Sequence, residues 1–162
     1  MNVKIINANQ YKRVLLDENN SVQDRVATIL KDIKENGDQA VNNWSTKIDG
    51  QAAKVIKLKA FTEYQLETDL ANAIILAHER IRKFCQFQMK DLKNDAFNDG
   101  VGGFGYIYQQ IERIGAYIPD GRFPPVSTAL MTLTPAKVAG YKTRIACSPS
   151  SHPAILAAAS LA

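Results

Sequence analysis

Side chains suited to metal ligation or nucleophilic attack are few in this sequence: two histidines, His78 and His152, and two cysteines, Cys85 and Cys147, in 162 residues. Zinc sites are built from closely spaced pairs such as CxxC or HExxH, because the ligands must converge from a short piece of chain. Neither pattern occurs. His78 lies in the charged segment "AHERIRK", which reads as a solvated helix face. His152 precedes Pro153 at a helix start, a position for a cap or a loop. Cys85 falls in a helical stretch and Cys147 in a strand-like one. Without CxxC spacing or a signal peptide, both are expected to be free, buried thiols. Local spacing therefore assigns no metal ligand and no catalytic residue.

One motif invites a phosphate. Gly100, Gly102 and Gly105 spell GxGxxG. That fingerprint works only when a strand delivers the loop and a helix N-terminus receives the pyrophosphate. The preceding "KNDAFND" makes a poor strand, and Tyr106-Ile107-Tyr108 after it is strand-like rather than helical. A hairpin or loop is expected there, not a phosphate site.

Charge gives no partner either. Lys and Arg number 20 against 16 Asp and Glu, a net charge of +4. The basic residues are interleaved with acidic ones, as in "KDIKENGD" and "HERIRK", and no basic run reaches five. Solvated helix faces, not a nucleic-acid footprint, are the expectation. With 46% hydrophobic and 22% charged residues the composition is that of a globular chain. No apolar run approaches the roughly 18 residues of a membrane span, and "MNVKIINANQ" lacks a signal peptide's apolar core. A cytoplasmic protein without membrane partners is expected.

The elements that must position any site follow from period and punctuation. Ser21 with Asp24 resembles a capping box, and Val22, Val26, Ile29, Leu30 and Ile33 repeat at helical spacing up to Gly37. Asp38 can cap a second helix carrying Val41, Trp44 and Ile48, which Asp49-Gly50 stops. These helices are expected to bury their apolar stripes. Val55 to Leu58 reads as a strand or an extended linker. Thr62 with Gln65 forms another capping box, with Phe61 and Leu66 as its hydrophobic staple, before a long helix marked by Leu70, Ile74, Ala77, Ile81 and Phe84.

After the polar stretch 93–105 the pattern changes. Ile111 to Ile118 reads as one or two strands, and Pro119-Asp120-Gly121 as a turn. Ser127 to Ala139 reads as a buried helix kinked or broken at Pro135, ended by Gly140. Thr143 to Ser148 reads as a strand, and Ser150 or Ser151 as the cap of a helix with Pro153 in its first turn. The expected fold class is α/β: N-terminal helices over 1–105, then an incomplete Rossmann-like parallel β-α-β-α unit over 106–162. The apolar faces of 127–139 and 153–162 are expected to be incompletely covered. Ligands of such sheets sit beyond the carboxyl ends of the strands, here at the loop from Tyr117 to Val126.

That loop and its helix, "ERIGAYIPDGRFPPVSTALMTLTPAKVAG", resemble the signature of the histidinol dehydrogenase family. There an Arg/Ser-x-Gly-x-Tyr-x-Pro-Gly-Gly turn leads to a Ser-Ser/Thr-Val-Leu-Met helix and then Pro-Ala-Lys/Arg-x-Ala-Gly. "ATILKDIKENGDQAVNNWSTKIDG", "ANAIILAHERIRKFCQFQM" and "PAILAAASLA" are similar to other helices of that family, so the resemblance covers nearly the whole chain. Three departures stand out. Asp120-Gly121 replaces the Gly-Gly turn, Arg122 and Phe123 replace small residues, and Phe61–Asp69 is shorter than usual.

The resemblance implies NAD-dependent, zinc-assisted oxidation of L-histidinol to L-histidine by a homodimer. It implies that Tyr117 lines the NAD site. It also implies that the zinc ligands and the Glu-His acid/base pair lie beyond residue 162, so that this chain carries no catalytic or metal-ligating residue of its own. Two readings stand: an N-terminal portion that is inactive alone, or a non-catalytic binding module derived from the family. The apolar, uncapped end "ILAAASLA" resembles a cut helix and favours the first.

Overall fold

The computed structural model describes residues 20–119 and 121–162. Asp120, which the sequence places in the turn of the loop, and residues 1–19 lie outside the described residues. Two compact units part between Val55 and Ile56.

In the first unit, α1 (Asn20–Asp49) is two helices joined across Gly37, whose backbone (φ 55°, ψ −135°) leaves the helical region. Ser21, the expected cap, already lies inside the first turn. A polar bridge ties the two halves. Asp32 accepts a hydrogen bond from Trp44 Nε1 at 2.6 Å and another from Asn36 Nδ2 at 2.7 Å. Lys47 Nζ lies 4.6 Å from the Trp44 ring centroid, within range of a cation–π attraction. Among the described side chains of this helix only Ala40 is fully buried; Val22, Val26 and Leu30 are exposed, contrary to the expected buried stripe. The segment 55–58 is not a strand, and Val55, Ile56 and Leu58 are exposed.

The second unit begins with a 3₁₀ turn at Phe61–Tyr64. The expected Thr62–Gln65 box is displaced: the amide of Ala60 donates to Glu63 Oε1 (2.9 Å), and Gln65 turns left-handed at φ 49°, which no helix interior accepts. Helix α2 (Thr68–Met89) starts after that turn, capped by Glu67, whose two carboxylate oxygens take the amides of Asp69 and Leu70 at 3.2 and 3.1 Å. Phe61 and Leu66 still pack at the margin of the core, and α2 buries Ile74 and Cys85.

The polar stretch 93–105 lies inside this unit as an antiparallel hairpin, β1 (Asp95–Asn98) with β2 (Gly103–Tyr106). A strand therefore does precede the glycine motif, contrary to expectation. Its formation rests on the turn: Asp99 Oδ1 accepts from the amides of Val101 and Gly102, and Asn98 Oδ1 from Gly100, which sits at φ 86°. Those amide bonds, from Gly102 first and then Val101, hold the Asp99 carboxyl below its ordinary pKa. No helix follows β2, so the amides face no pyrophosphate cradle.

The core belongs to the β-α-β-α unit: β3 (Arg113–Tyr117), α3 (Val126–Val138), β4 (Thr143–Cys147) and α4 (Pro153–Leu161). β3 and β4 pair in parallel, Gly115 opposite Ile145 and Tyr117 opposite Cys147. Ala116 and Ile118 from the sheet meet Ala129, Leu130 and Leu133 of α3, Ala154, Ile155 and Ala158 of α4, and Ile74 of α2. The apolar faces of α3 and α4 are thus the centre of the core rather than incompletely covered surfaces. Pro135 leaves α3 unbroken. It removes the donor for the Met131 carbonyl, but Met131 is 64% exposed, on a side of the helix that water can reach. The cap of α4 is His152, not Ser150 or Ser151: its Nδ1 accepts the amide of Ala154 at 3.2 Å, and Ser150 Oγ in turn accepts the amide of His152.

Candidate functional site

Period-two alternation decides where Tyr117 points. Ala116 and Ile118 enter the helix-covered face (Ile118 is 1% exposed), so Tyr117 between them lies on the other face. It is 67% exposed, and so is much of that face: Ile145 is 57% exposed and the thiol of Cys147 is open, correcting the expectation that both cysteines are buried. The amide of Ile118 donates to the Cys147 carbonyl at 2.8 Å, extending the ladder one step past the strands. The carboxyl end of the sheet is therefore held rigid where Tyr117 stands.

Beyond it, Arg122 and Phe123 form the rim of the loop, the guanidinium carbon 5.9 Å from the ring centroid, with Phe123 exposed. Helix α3 opens directly after this loop from Pro125, with no side-chain cap among the described residues and no acid in its first turn. A helix N-terminus so arranged favours negative charge. Tyr117 at the end of β3 and the start of α3 stand at the two ends of this loop, and an aromatic ring with such a helix start could hold a planar ring carrying phosphates. Among the described residues no group of three or more His, Cys, Asp or Glu could hold a metal, so those residues do not supply a zinc centre.

The histidines are not brought together at this edge. His152 caps α4, while His78 lines a cleft between α2 and α3 with Arg82, Gln86, Thr134 and Lys137. His78 is not the solvated residue its charged neighbourhood suggests. It is half-buried, its Nε2 is shielded and unpartnered, and burial first, then the Lys137 and Arg82 cations, push its pKa below the ordinary value. The polar stripe His78, Arg82, Gln86 recurs every four residues, a sequence signal that could have located the α2 side of this cleft.

The family model for histidinol dehydrogenase matches residues 13–162. The chain belongs to the histidinol dehydrogenase family. The histidinol dehydrogenase of Thermus thermophilus is 37% identical over 142 residues, covering 86% of this chain and 34% of that protein. That of Parasynechococcus marenigrum is 35% identical over 165 residues, covering 93% and 36%. The crystal structure of histidinol dehydrogenase from Elizabethkingia anophelis superposes with a TM-score of 0.70 at 32% identity, over 86% of this chain and 34% of that one. The chain thus spans about a third of the length of these histidinol dehydrogenases. Their family is one of oxidoreductases, and the α/β fold expected from the sequence is the one observed. Among the described residues no helix is long and apolar enough to cross a membrane.

Proposed function

We propose that this chain supplies the N-terminal third of a histidinol dehydrogenase and one wall of its NAD site, and that it is inactive by itself. The observation that carries this is the coverage: the match takes in most of this chain but only 34% of the T. thermophilus relative. NAD, when bound, accepts hydride in the two-step oxidation of L-histidinol to L-histidine. Tyr117 offers an exposed ring for stacking and a hydroxyl for hydrogen bonding, and the rigid β3–β4 edge keeps it in place. The start of α3 favours the cofactor's negative charge. The zinc ion and the acid/base pair that orient the alcohol and remove its proton are supplied by sequence outside this chain. The open face of the sheet around Ile145, short of the Tyr117 end, is where the rest of the enzyme packs, since parallel sheets are covered on both faces. The assembled enzyme is a homodimer acting in the cytoplasm.

The experiment follows NADH absorbance with the 162-residue chain, zinc, NAD and histidinol. It is repeated after adding the complementary two-thirds of the T. thermophilus enzyme. No turnover is expected from the chain alone, and histidinol-dependent NADH from the mixture. Turnover that follows the 162-residue species through gel filtration would overturn the proposal. So would a mixture as inert as the chain.

A further inference from the structure

Away from the sheet edge, α2 and α3 leave an open cleft of about 440 Å³. His78, Arg82 and Gln86 line it from successive turns of α2, and Thr134 and Lys137 from α3; among the described residues no Asp or Glu lines it. Arg82 is half-buried, yet makes neither a hydrogen bond nor an ion pair among the described residues, where the single salt bridge is Lys142–Glu112. The Arg82 charge is therefore free to meet a ligand in the cleft. Thr134 is 0% exposed and its Oγ1 has no partner; His78 Nε2 is orphaned in the same way. Buried polar atoms left unpaired call for an explanation, and here two of them belong to residues lining one cleft.

The chemistry of the four groups narrows the ligand. A guanidinium and an ammonium only donate, a hydroxyl can donate, and a neutral imidazole donates from Nε2 in one of its tautomers. Lys137 Nζ donates to the Leu161 carbonyl at 3.1 Å, which leaves its other protons available. Two fixed cations repel a metal ion, and an apolar ligand would leave every donor unmatched. We propose that the α2–α3 cleft binds a small oxyanion, a carboxylate or phosphate, held by Arg82 and Lys137, with the Thr134 hydroxyl and His78 Nε2 as further donors. Arg82 and Lys137 meet the anion first. Thr134 Oγ1 and His78 Nε2 lie beneath the surface and engage when the side chains over them shift.

The depressed His78 pKa agrees with this geometry. Burial leads its causes and the Lys137 and Arg82 cations add to it, against a smaller opposite pull from the Glu79 carboxylate; an anion between the cations offsets their field and moves the midpoint upward. His152, the other histidine, caps α4 and serves as the internal reference.

Ring-proton NMR of the 162-residue chain, titrated with inorganic phosphate and separately with acetate, reads both midpoints, with H78Q assigning the signals. A saturable upward movement of His78 with His152 unmoved is expected. The anion that saturates identifies the class: phosphate, carboxylate or both. R82Q should weaken binding about tenfold or more, the loss of a hydrogen-bonded charge. T134V, which keeps the side-chain shape, should weaken it less while the His152 signal certifies the fold. No saturable movement with either anion, equal movement of both histidines, or unchanged affinity in R82Q would overturn the proposal.

Discussion

Tyr117 and Cys147 are register partners at the carboxyl ends of β3 and β4, on the sheet face away from α3 and α4. This pairing makes the cysteine a reporter on the proposed cofactor wall. Cys147 is exposed and Cys85 is buried in α2, so a thiol reagent should modify one cysteine rapidly and the other only on unfolding. C147S should abolish the rapid phase, and in the assembled enzyme NAD should slow it. Two rapid thiols, or a rapid phase that survives C147S, would contradict the assignment of faces.

The same open face should bind a hydrophobic dye and drive self-association of the isolated chain. Ile145→Glu is expected to reduce both, while changing unfolding free energy by no more than about 0.5 kcal/mol, as at other exposed positions. Leu130→Ala, at the centre of the core, should cost about 2–5 kcal/mol. Dye binding that is indifferent to Ile145→Glu would place the exposed apolar surface elsewhere, with the stripe of α1 as the next candidate.

Two glycines of the false phosphate motif are required by the structure, Gly100 for its backbone at φ 86° and Gly105 for want of side-chain space. A Cβ on Gly105 would lie 2.4 Å from the Asp95 carbonyl oxygen and 2.8 Å from Ala96 Cα, both backbone atoms that cannot swing aside. Gly105→Ala should remove the β1–β2 cross-strand contacts in NMR spectra and leave amide protection in α3 and α4 intact. Gly102, around which a Cβ meets nothing within 4 Å, should accept alanine with the hairpin preserved.

Acid should weaken the fold through His78. Its pKa is lowered from 6.5 by burial and by the Lys137 and Arg82 cations, so below that value the unfolded chain takes up a proton that the folded chain resists. Stability therefore falls as pH drops through 6.5 and is insensitive to this group above it. Urea midpoints measured from about pH 7 to about pH 5 should decline in the native chain and decline less in H78Q. An identical decline in both would remove His78 as the cause.

The sequence by itself determined the β-α-β-α unit and the family, because period, glycine stops and the Tyr117–Gly140 motif are local signals; strand β1, in a segment too polar to read as a strand, it did not. It also determined that the glycine motif would lack a receiving helix, since the residues after it are visibly strand-like. What it left open depended on alternatives that local pattern treats as equal. Glu67 rather than Thr62 caps α2, and His152 rather than a serine caps α4, because the backbone turn at Gln65 and the loop after Cys147 select among neighbouring acceptors. Whether a stripe finds a partner is likewise a matter of three dimensions. The apolar residues of α3 and α4 became the core, while Val22, Val26 and Leu30, equally periodic, stayed exposed. The α2–α3 cleft is the clearest case. His78 reads as a solvated residue among charges until α3 lies across α2, and only that packing buries its Nε2 and sets Arg82 and Lys137 around one cavity.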